Sequence, residues 1–378
     1  MQHWLICTDS FKDAASAAAV CDALTLGLRQ SGVNLTTKSV PLSDGGDGFI
    51  ALGKALGWGE TVVVETCDAL QRKTKAAYLW HSATATAWVG VAEASGIQEL
   101  RPFERDGRIT TSLGTGLLLR NAINKGARKI FLGLGGSATN DGGCGMAHAL
   151  GIRFEDTQGN YFLPTGATLH LISNIQIPET SIFSDIQFIA LSDVSNPLCG
   201  SQGATFAFGP QKGIPLEALP AIDAGMQHLA HLWKTQLHKN VADTPGTGAA
   251  GGIGAGCMAF FNAQIQSGTQ HILSMTDLDN AIQQADAVIA GEGCVDETSF
   301  NGKLLSGIVQ RCRQHQKPCY LVCGQSRLSA DALKQQGVNS IFTVQDYHTD
   351  IETSIAHTLP TLQKIGKKIP LQEKLRRQ

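Results

Sequence analysis

Residues 3–48 read HWLICTDSFKDAASAAAVCDALTLGLRQSGVNLTTKSVPLSDGGDG, and this stretch decides the fold. Trp4 to Cys7 is a short apolar run of strand length. Ser16 to Gln30 reads as a helix with Ser16 as its N-cap. Val20, Ala23, Leu24 and Leu28 recur at helical spacing on one face, and Gly32 follows as a stop. A second strand is expected at Thr36–Leu42, closed by the turn SDGGDG. Strand, helix and strand at this spacing form a βαβ unit, which implies a parallel sheet.

Outward from this unit the pattern changes and then returns. The middle of the chain is rich in glycine-bearing loops between short strands, expected at Thr84–Val91, Lys129–Leu134, Gln187–Leu191 and Thr205–Phe208. Towards the end, Ala287–Ala290 reads as a strand, Lys303–Gln314 as a helix, and Cys319–Cys323 and Ser340–Val344 as strands. The fold class is therefore α/β. The expectation is one parallel-sheet domain built from both chain ends, residues 1–70 and 286–378, with a second α/β domain, 71–285, inserted between them. The basic run from Lys364 to Arg377 is expected to be a solvated end.

Composition sets the outer limits. With 378 residues the chain is long enough for two cores. A 43% hydrophobic content fills them, and the formal net charge of -2 offers no basic field for nucleic acid. Ten cysteines are scattered without a CxxC pair, the closest being Cys319 and Cys323. Buried free thiols in a reducing cytoplasm fit this spacing better than disulfides or zinc. No secretory signal and no apolar run of about 20 residues occurs, so a cytoplasmic protein with no membrane partner is expected.

Six glycine-bearing segments could carry chemistry. TDSFKD, Thr8–Asp13, follows the first strand, and the carboxyl ends of strands line the ligand crevice in open α/β sheets. Asp9, Ser10 and Lys12 would then face a ligand, although a polar loop leading into a helix reads equally well. PLSDGGDG, Pro41–Gly48, places Asp44 and Asp47 around a Gly-Gly turn, a pair suited to magnesium, which binds few protein oxygens beside substrate phosphate. A plain DG turn is the simpler alternative. GLGGSATNDGG, Gly133–Gly143, is the strongest segment. It follows a strand and precedes a helix at Cys144–Leu150, so its backbone, Ser137 and Thr139 could cradle phosphate with help from the helix dipole. SDVSNPLCG, Ser192–Gly200, puts Asp193 at a strand end. FGPQKG, Phe208–Gly213, supplies Lys212 as a cation for a transferring phosphoryl group. GTGAAGGIGAG, Gly246–Gly256, suits a loop pressed against a ligand, and GEGCVDETSFNGK, Gly291–Lys303, supplies Glu292, Asp296 and Lys303.

This inventory holds what phosphoryl transfer needs: cations, metal-bearing carboxylates and a base. No GxxxxGK[ST] occurs, so the chain is not a P-loop enzyme. GTGAAG matches GxGxxG but follows no strand. GLGGSA at Gly133–Ala138 follows one, with Glu155 and Asp156 near the spacing of a ribose-binding acid, so a nicotinamide-dependent dehydrogenase is the alternative enzyme. A short following helix and the carboxylate of Asp141, which would repel a pyrophosphate, weigh against it.

Taken together, TDSFK, PLSDGGDG, AEASG at Ala92–Gly96, GLGGSATNDGG, DVSNPLCG, FGPQKG, GAAGGIGAG and GEGCVDETSFNGK occur in the order seen in glycerate kinases. The sequence resembles that family from about Cys7 to Cys323. The resemblance implies a flavodoxin-like domain from both chain ends, an inserted α/β domain, and ATP-dependent phosphorylation of D-glycerate, with 2-phosphoglycerate as the usual product. The mechanism expected from these residues is a cleft between the domains. There Gly135, Gly136, Ser137, Thr139, Asn140, Asp141 and Lys303 would hold the nucleotide, and Asp44 and Asp47 would hold Mg2+. Lys12 and Lys212 would neutralise the phosphoryl group, and Asp193 would act as base. Asp9, Ser10, Ser95, Asn196, Glu292 and Asp296 would shape the glycerate site. The assembly expected is a monomer or homodimer. The sequence departs from the family at polar positions. Asp13 replaces a glycine, Cys294 an arginine, Glu297 a glutamine and Leu117 a glutamate. A family member that binds a related sugar acid or phosphometabolite without turnover is the third reading.

Overall fold

The computed structural model describes residues 1–11, 14–43, 46, 48–300 and 304–377, with the backbone alone for 373–377. Lys12, Asp44, Asp47 and Lys303 therefore lie outside the described residues. The chain divides into two compact units, Met1–Asp44 with Thr269–Gln378 and Gly45–Gly268. The segment after Gly48 falls in the second unit, joining its sheet through a strand at Glu60–Cys67.

Along the chain the strands are β1 Gln2–Thr8 and β2 Leu35–Ser39. Next come β3 Glu60–Cys67, β4 Lys73–His81, β5 Thr86–Gly90 and β6 Lys129–Gly133. Three short strands follow, β7 Arg153–Glu155, β8 Tyr161–Phe162 and β9 Asn174–Gln176. Then come β10 Gln187–Leu191 and β11 Gln264–Gln266, and finally β12 Ala287–Val295, β13 Cys319–Ser326 and β14 Ser340–Thr343.

In the unit built from both chain ends, the described residues form a parallel sheet of order β14-β13-β12-β1-β2. Counted within this sheet the order is 2-1-3-4-5, the flavodoxin-like arrangement, with its switch point between β1 and β12. β1 is buried along its core residues because helices cover both faces of such a sheet. Ser16 caps the helix Ala17–Arg29, its hydroxyl accepting from the N–H of Ala19 at 3.3 Å. Val20, Leu24 and Leu28 of that helix are buried among Trp4, Ile6 and Ile289. The chain end is not a merely solvated tail. Thr358–Arg377 is a helix whose Leu362, Ile365 and Ile369 are buried in the same core. Gly27 and Gly366 let the two helices approach closely, because a Cβ on Gly27 would strike the carbonyl of Gln363 and one on Gly366 that of Leu24.

The inserted unit holds a mixed sheet of order β11-β10-β6-β5-β4-β3 and a smaller antiparallel sheet, β8-β7-β9. β5, β6, β10 and β11 are parallel, whereas β3 and β4 run antiparallel to their neighbours. β3 and β4 were not expected. Their signal was present as the β-branched run TVVVET and the Asp68–Arg72 turn, where Gln71 adopts φ 63. Thr205–Phe208, expected as a strand, lies in a helix, Ala204–Phe208. Its Thr and Phe residues favour strands, but Gly203 and Gly209 bracket a segment of only five residues. The N–H groups of Ala207 and Gly209 close helical turns onto Gly203 and Thr205.

Candidate active site

The site of the inserted unit grows out of two neighbouring strands. β6 and β10 are parallel, with Leu191 opposite Gly133, so the glycine loop after β6 and the Ser192–Gly200 segment after β10 leave the sheet at the same edge. The N–H of Leu134 bonds the carbonyl of Leu191 at 3.1 Å, which fixes the start of the loop. Across β5, the N–H of Ile97 donates to the carbonyl of Gly136 at 2.8 Å, and that of Ala138 to the carbonyl of Ser95 at 2.8 Å. Ser95 is wholly buried and accepts a hydrogen bond from Thr115 at 2.9 Å. Placed by sequence in the glycerate site, it ties the loop to the helices Ala92–Ser95 and Leu113–Asn124.

Only two glycines of the loop are part-exposed. Gly135 and Gly136 are half-buried, Ser137 is 6% exposed, and Thr139, Asn140 and Asp141 are fully buried. Asp141 faces inward. Its Oδ2 accepts from the N–H and hydroxyl of Ser112 at 2.7 and 2.8 Å, and from the N–H of Gly145 at 3.2 Å, while Oδ1 accepts from the N–H of Gly143 at 3.0 Å. Burial raises its pKa against these bonds. The helix Cys144–Ala149 is therefore capped from within, its next N–H, on Met146, going to the hydroxyl of Ser112 at 2.9 Å. At this helix end the N–H groups of Gly143, Gly145 and Met146 are taken up by Asp141 and Ser112. Asn140 donates to Thr205 at 3.1 Å. Its Oδ1 and the hydroxyl of Thr139 are buried without a partner among the described residues.

Lys212 lies beneath the same loop. Its ammonium donates to the carbonyl of Thr139 at 2.8 Å and to the hydroxyl of Ser137 at 2.9 Å, and the residue is 3% exposed. Burial pulls its pKa down to about 7, with the nearby Asp141 carboxylate acting in the opposite sense. It thus clamps the loop from beneath.

The Gly246–Gly256 segment proves to be the loop's other support. It enters the helix Ala249–Phe261 through left-handed residues at Ala250, Gly251 and Gly252. The carbonyl of Gly251 accepts from the N–H of Gly142 at 3.0 Å, and a Cβ on Gly251 would collide with the carbonyl of Thr139. These glycines press on protein backbone, which corrects their reading as a ligand loop.

Asp193, just past β10, is half-buried and accepts from the hydroxyl of Ser267 at 2.6 Å. The N–H of Ser192 bonds the carbonyl of Gln266 at 2.9 Å, so the end of β11 delivers Ser267 to that carboxylate. Ser267 carried no motif signal. Asn196 is also half-buried and donates to the carbonyl of Gln202 at 2.8 Å.

The end-built unit carries a cavity of about 400 Å³ at the carboxyl ends of its strands, lined in part by Asp9, Ser10, Glu292, Cys294, Asp296 and Gln325. The N–H of Asp9 bonds the carbonyl of Gly291 at 2.8 Å across the β1–β12 switch point. Asp296 caps the turn Glu297–Phe300, its Oδ1 accepting from the N–H and hydroxyl of Thr298 at 2.8 and 2.7 Å.

The chain matches the model of the glycerate kinase family over residues 4–372. It belongs to the glycerate kinase family. The glycerate kinase of Bacillus cereus is 34% identical over 366 residues, covering 97% of this chain and 96% of the relative. The glycerate 2-kinase of Escherichia coli K12 is 35% identical over 341 residues, 90% of each. A crystal structure of a Salmonella typhimurium LT2 protein assigned as glycerate kinase 2 shares 33% identity and a TM-score of 0.79, with full coverage of both chains. Membership makes this chain a phosphotransferase, and a kinase family implies use of ATP. Cys294 stands on the cavity wall, its sulfur 3.5 Å from the amide nitrogen of Gln325. All ten cysteines are free thiols. Among the described residues, no helix is long and apolar enough to cross a membrane.

Proposed function

We propose that the chain transfers the terminal phosphoryl group of ATP to a hydroxyl of D-glycerate and releases 2-phosphoglycerate. Full-length membership in the glycerate kinase family is the observation that carries the reading, and the E. coli relative named a glycerate 2-kinase favours that hydroxyl. Phosphoryl transfer asks a protein for positioning and for relief of charge more than for covalent chemistry. The half-buried Gly135 and Gly136, with the hydroxyl of Ser137, offer the transferring group a narrow polar surface. Thr139, Asn140, Asp141 and Lys212 keep that surface in shape from beneath.

Asp193 acts as the base that accepts the proton of the attacking hydroxyl. Its half-exposed carboxylate leaves the sheet beside the glycine loop, and the 2.6 Å bond from Ser267 fixes its orientation. Asn196, on the same segment, binds the acid. Mg2+ accompanies ATP and offsets the charge of its phosphates, with Asp44 and Asp47 as its protein partners. Among the described residues no group of three or more His, Cys, Asp or Glu side chains is placed to hold a metal.

ADP release tests the reading. Release should depend on both ATP and D-glycerate, whereas release that ignores the acceptor would contradict it.

A further inference from the structure

We propose that the cavity of the end-built unit is the nucleoside subsite, taking the adenosine part of ATP, and that Asp9, Ser10, Glu292 and Asp296 serve it rather than glycerate. The inference rests on the reading of the chain as an ATP-dependent kinase. Place is the first argument. In open parallel sheets ligands lie outside the carboxyl ends of the strands at the switch point, and here Asp9 after β1 and Glu292 on β12 both line the cavity at that point.

Size and lining agree. About 400 Å³ falls within the roughly 300–1,000 Å³ of small-molecule sites and leaves a three-carbon acid far too small to fill it. The wall is two-sided. Phe11, Leu304 and Val344 give a buried apolar floor. Ile351 and Ile355, neighbours at i and i+4 on the helix Ile351–Ala356, stand 57% and 38% exposed among the lining residues. A flat base would cover this apolar surface. The carboxylates of Asp9, Glu292 and Asp296 line the same cavity. Carboxylates accept hydrogen bonds and donate none, so they suit ribose hydroxyls, as an acidic residue does in dinucleotide-binding folds. A glycerate carboxylate would instead meet like charge there and leave the apolar wall wet.

The test uses the full chain and an azido-adenosine diphosphate photolabel. Crosslinks are expected in peptides carrying Phe11 or Ile351–Ala356, and excess adenosine should abolish them. By calorimetry, Ile355→Trp should raise the Kd for ADP about tenfold or more. Its KM for D-glycerate should stay within about twofold of the parent value, a shift well under a tenfold step. Ile355→Ala, with a Tm measured beside it, guards against a variant that fails to fold and should weaken ADP in the same direction. Crosslinks confined to residues 45–268, or a raised KM for glycerate with unchanged ADP affinity, would overturn the assignment while leaving a glycerate kinase intact. Cavity crosslinks in a chain that never phosphorylates glycerate would overturn the proposed reaction and leave the nucleoside subsite standing.

Discussion

The ammonium of Lys212 donates to the carbonyl of Thr139 at 2.8 Å, joining the FGPQKG motif to the glycine loop across 73 residues of sequence. A flexible glycine-rich segment acquires one shape because a buried cation holds it from below. The same loop is pinned by Asp141 from within and by Gly251 from behind. Most of its polar residues thus build the loop, and only Gly135 and Gly136 are part-exposed.

Lys212→Met should therefore lower kcat strongly while the chain stays folded. It should also change the pH dependence of stability. The pKa of Lys212 falls from its ordinary 10.5 to about 7 on folding, through burial. Between those values the unfolded chain binds more protons than the folded one, so the Lys212 contribution to stability rises with pH across about 7 to 10.5. Thermal melts at stepped pH should show this rise in the parent and lose it in Lys212→Met. An unchanged slope would mean the lysine is not buried as described.

Gly251→Ala should destabilise the protein by about 2 kcal/mol or more, because a Cβ there combines positive φ with a collision against the carbonyl of Thr139. Urea denaturation measures the loss. A neutral result would contradict the packing of the Gly246–Gly256 segment on the loop.

Asp141→Ala should cost roughly 3 kcal/mol or more, since it strands several buried donors at once. Asp141→Asn should cost less but still lower stability, as its amide oxygen can keep accepting from Ser112 and Gly145 while its NH2, a donor, is left facing the N–H of Gly143. If either variant lost ATP affinity at full stability, Asp141 would touch ligand after all.

Much of the fold was legible because its signals are local. The Ser16 cap, the spacing of Val20, Leu24 and Leu28, and the apolar run of β1 dictate the first βαβ unit with no help from distant residues. β3 and β4 were missed because an edge pair that leaves Val63 63% exposed shows little inward-outward contrast. The Thr205–Phe208 helix was misread because strand-favouring side chains were overridden by tertiary burial, which places Thr205 against Asn140. At the site, sequence marks which residues gather but not which way they point. Ser95 and Asp141 look like ligand groups by type, yet in the structure their side chains bond Thr115 and the donors of Ser112, Gly143 and Gly145. Ser267 gave no signal, because its partnership with Asp193 arises only where β10 and β11 pair.

Asp193→Asn should lower kcat by about 10²–10⁴-fold, the usual contribution of a positioned base, with KM for ATP little changed. Steady-state kinetics at saturating ATP settle the point. Near-normal turnover would remove Asp193 from the proton path.

The most direct measurement is the product itself. The chain would be incubated with ATP, magnesium and either D- or L-glycerate, and the phosphorylated carbon assigned by phosphorus and proton NMR. The account predicts 2-phosphoglycerate formed from the D enantiomer, in step with ADP release. Phosphate on the 3-hydroxyl, or ADP formed without any phosphoglycerate, would contradict it.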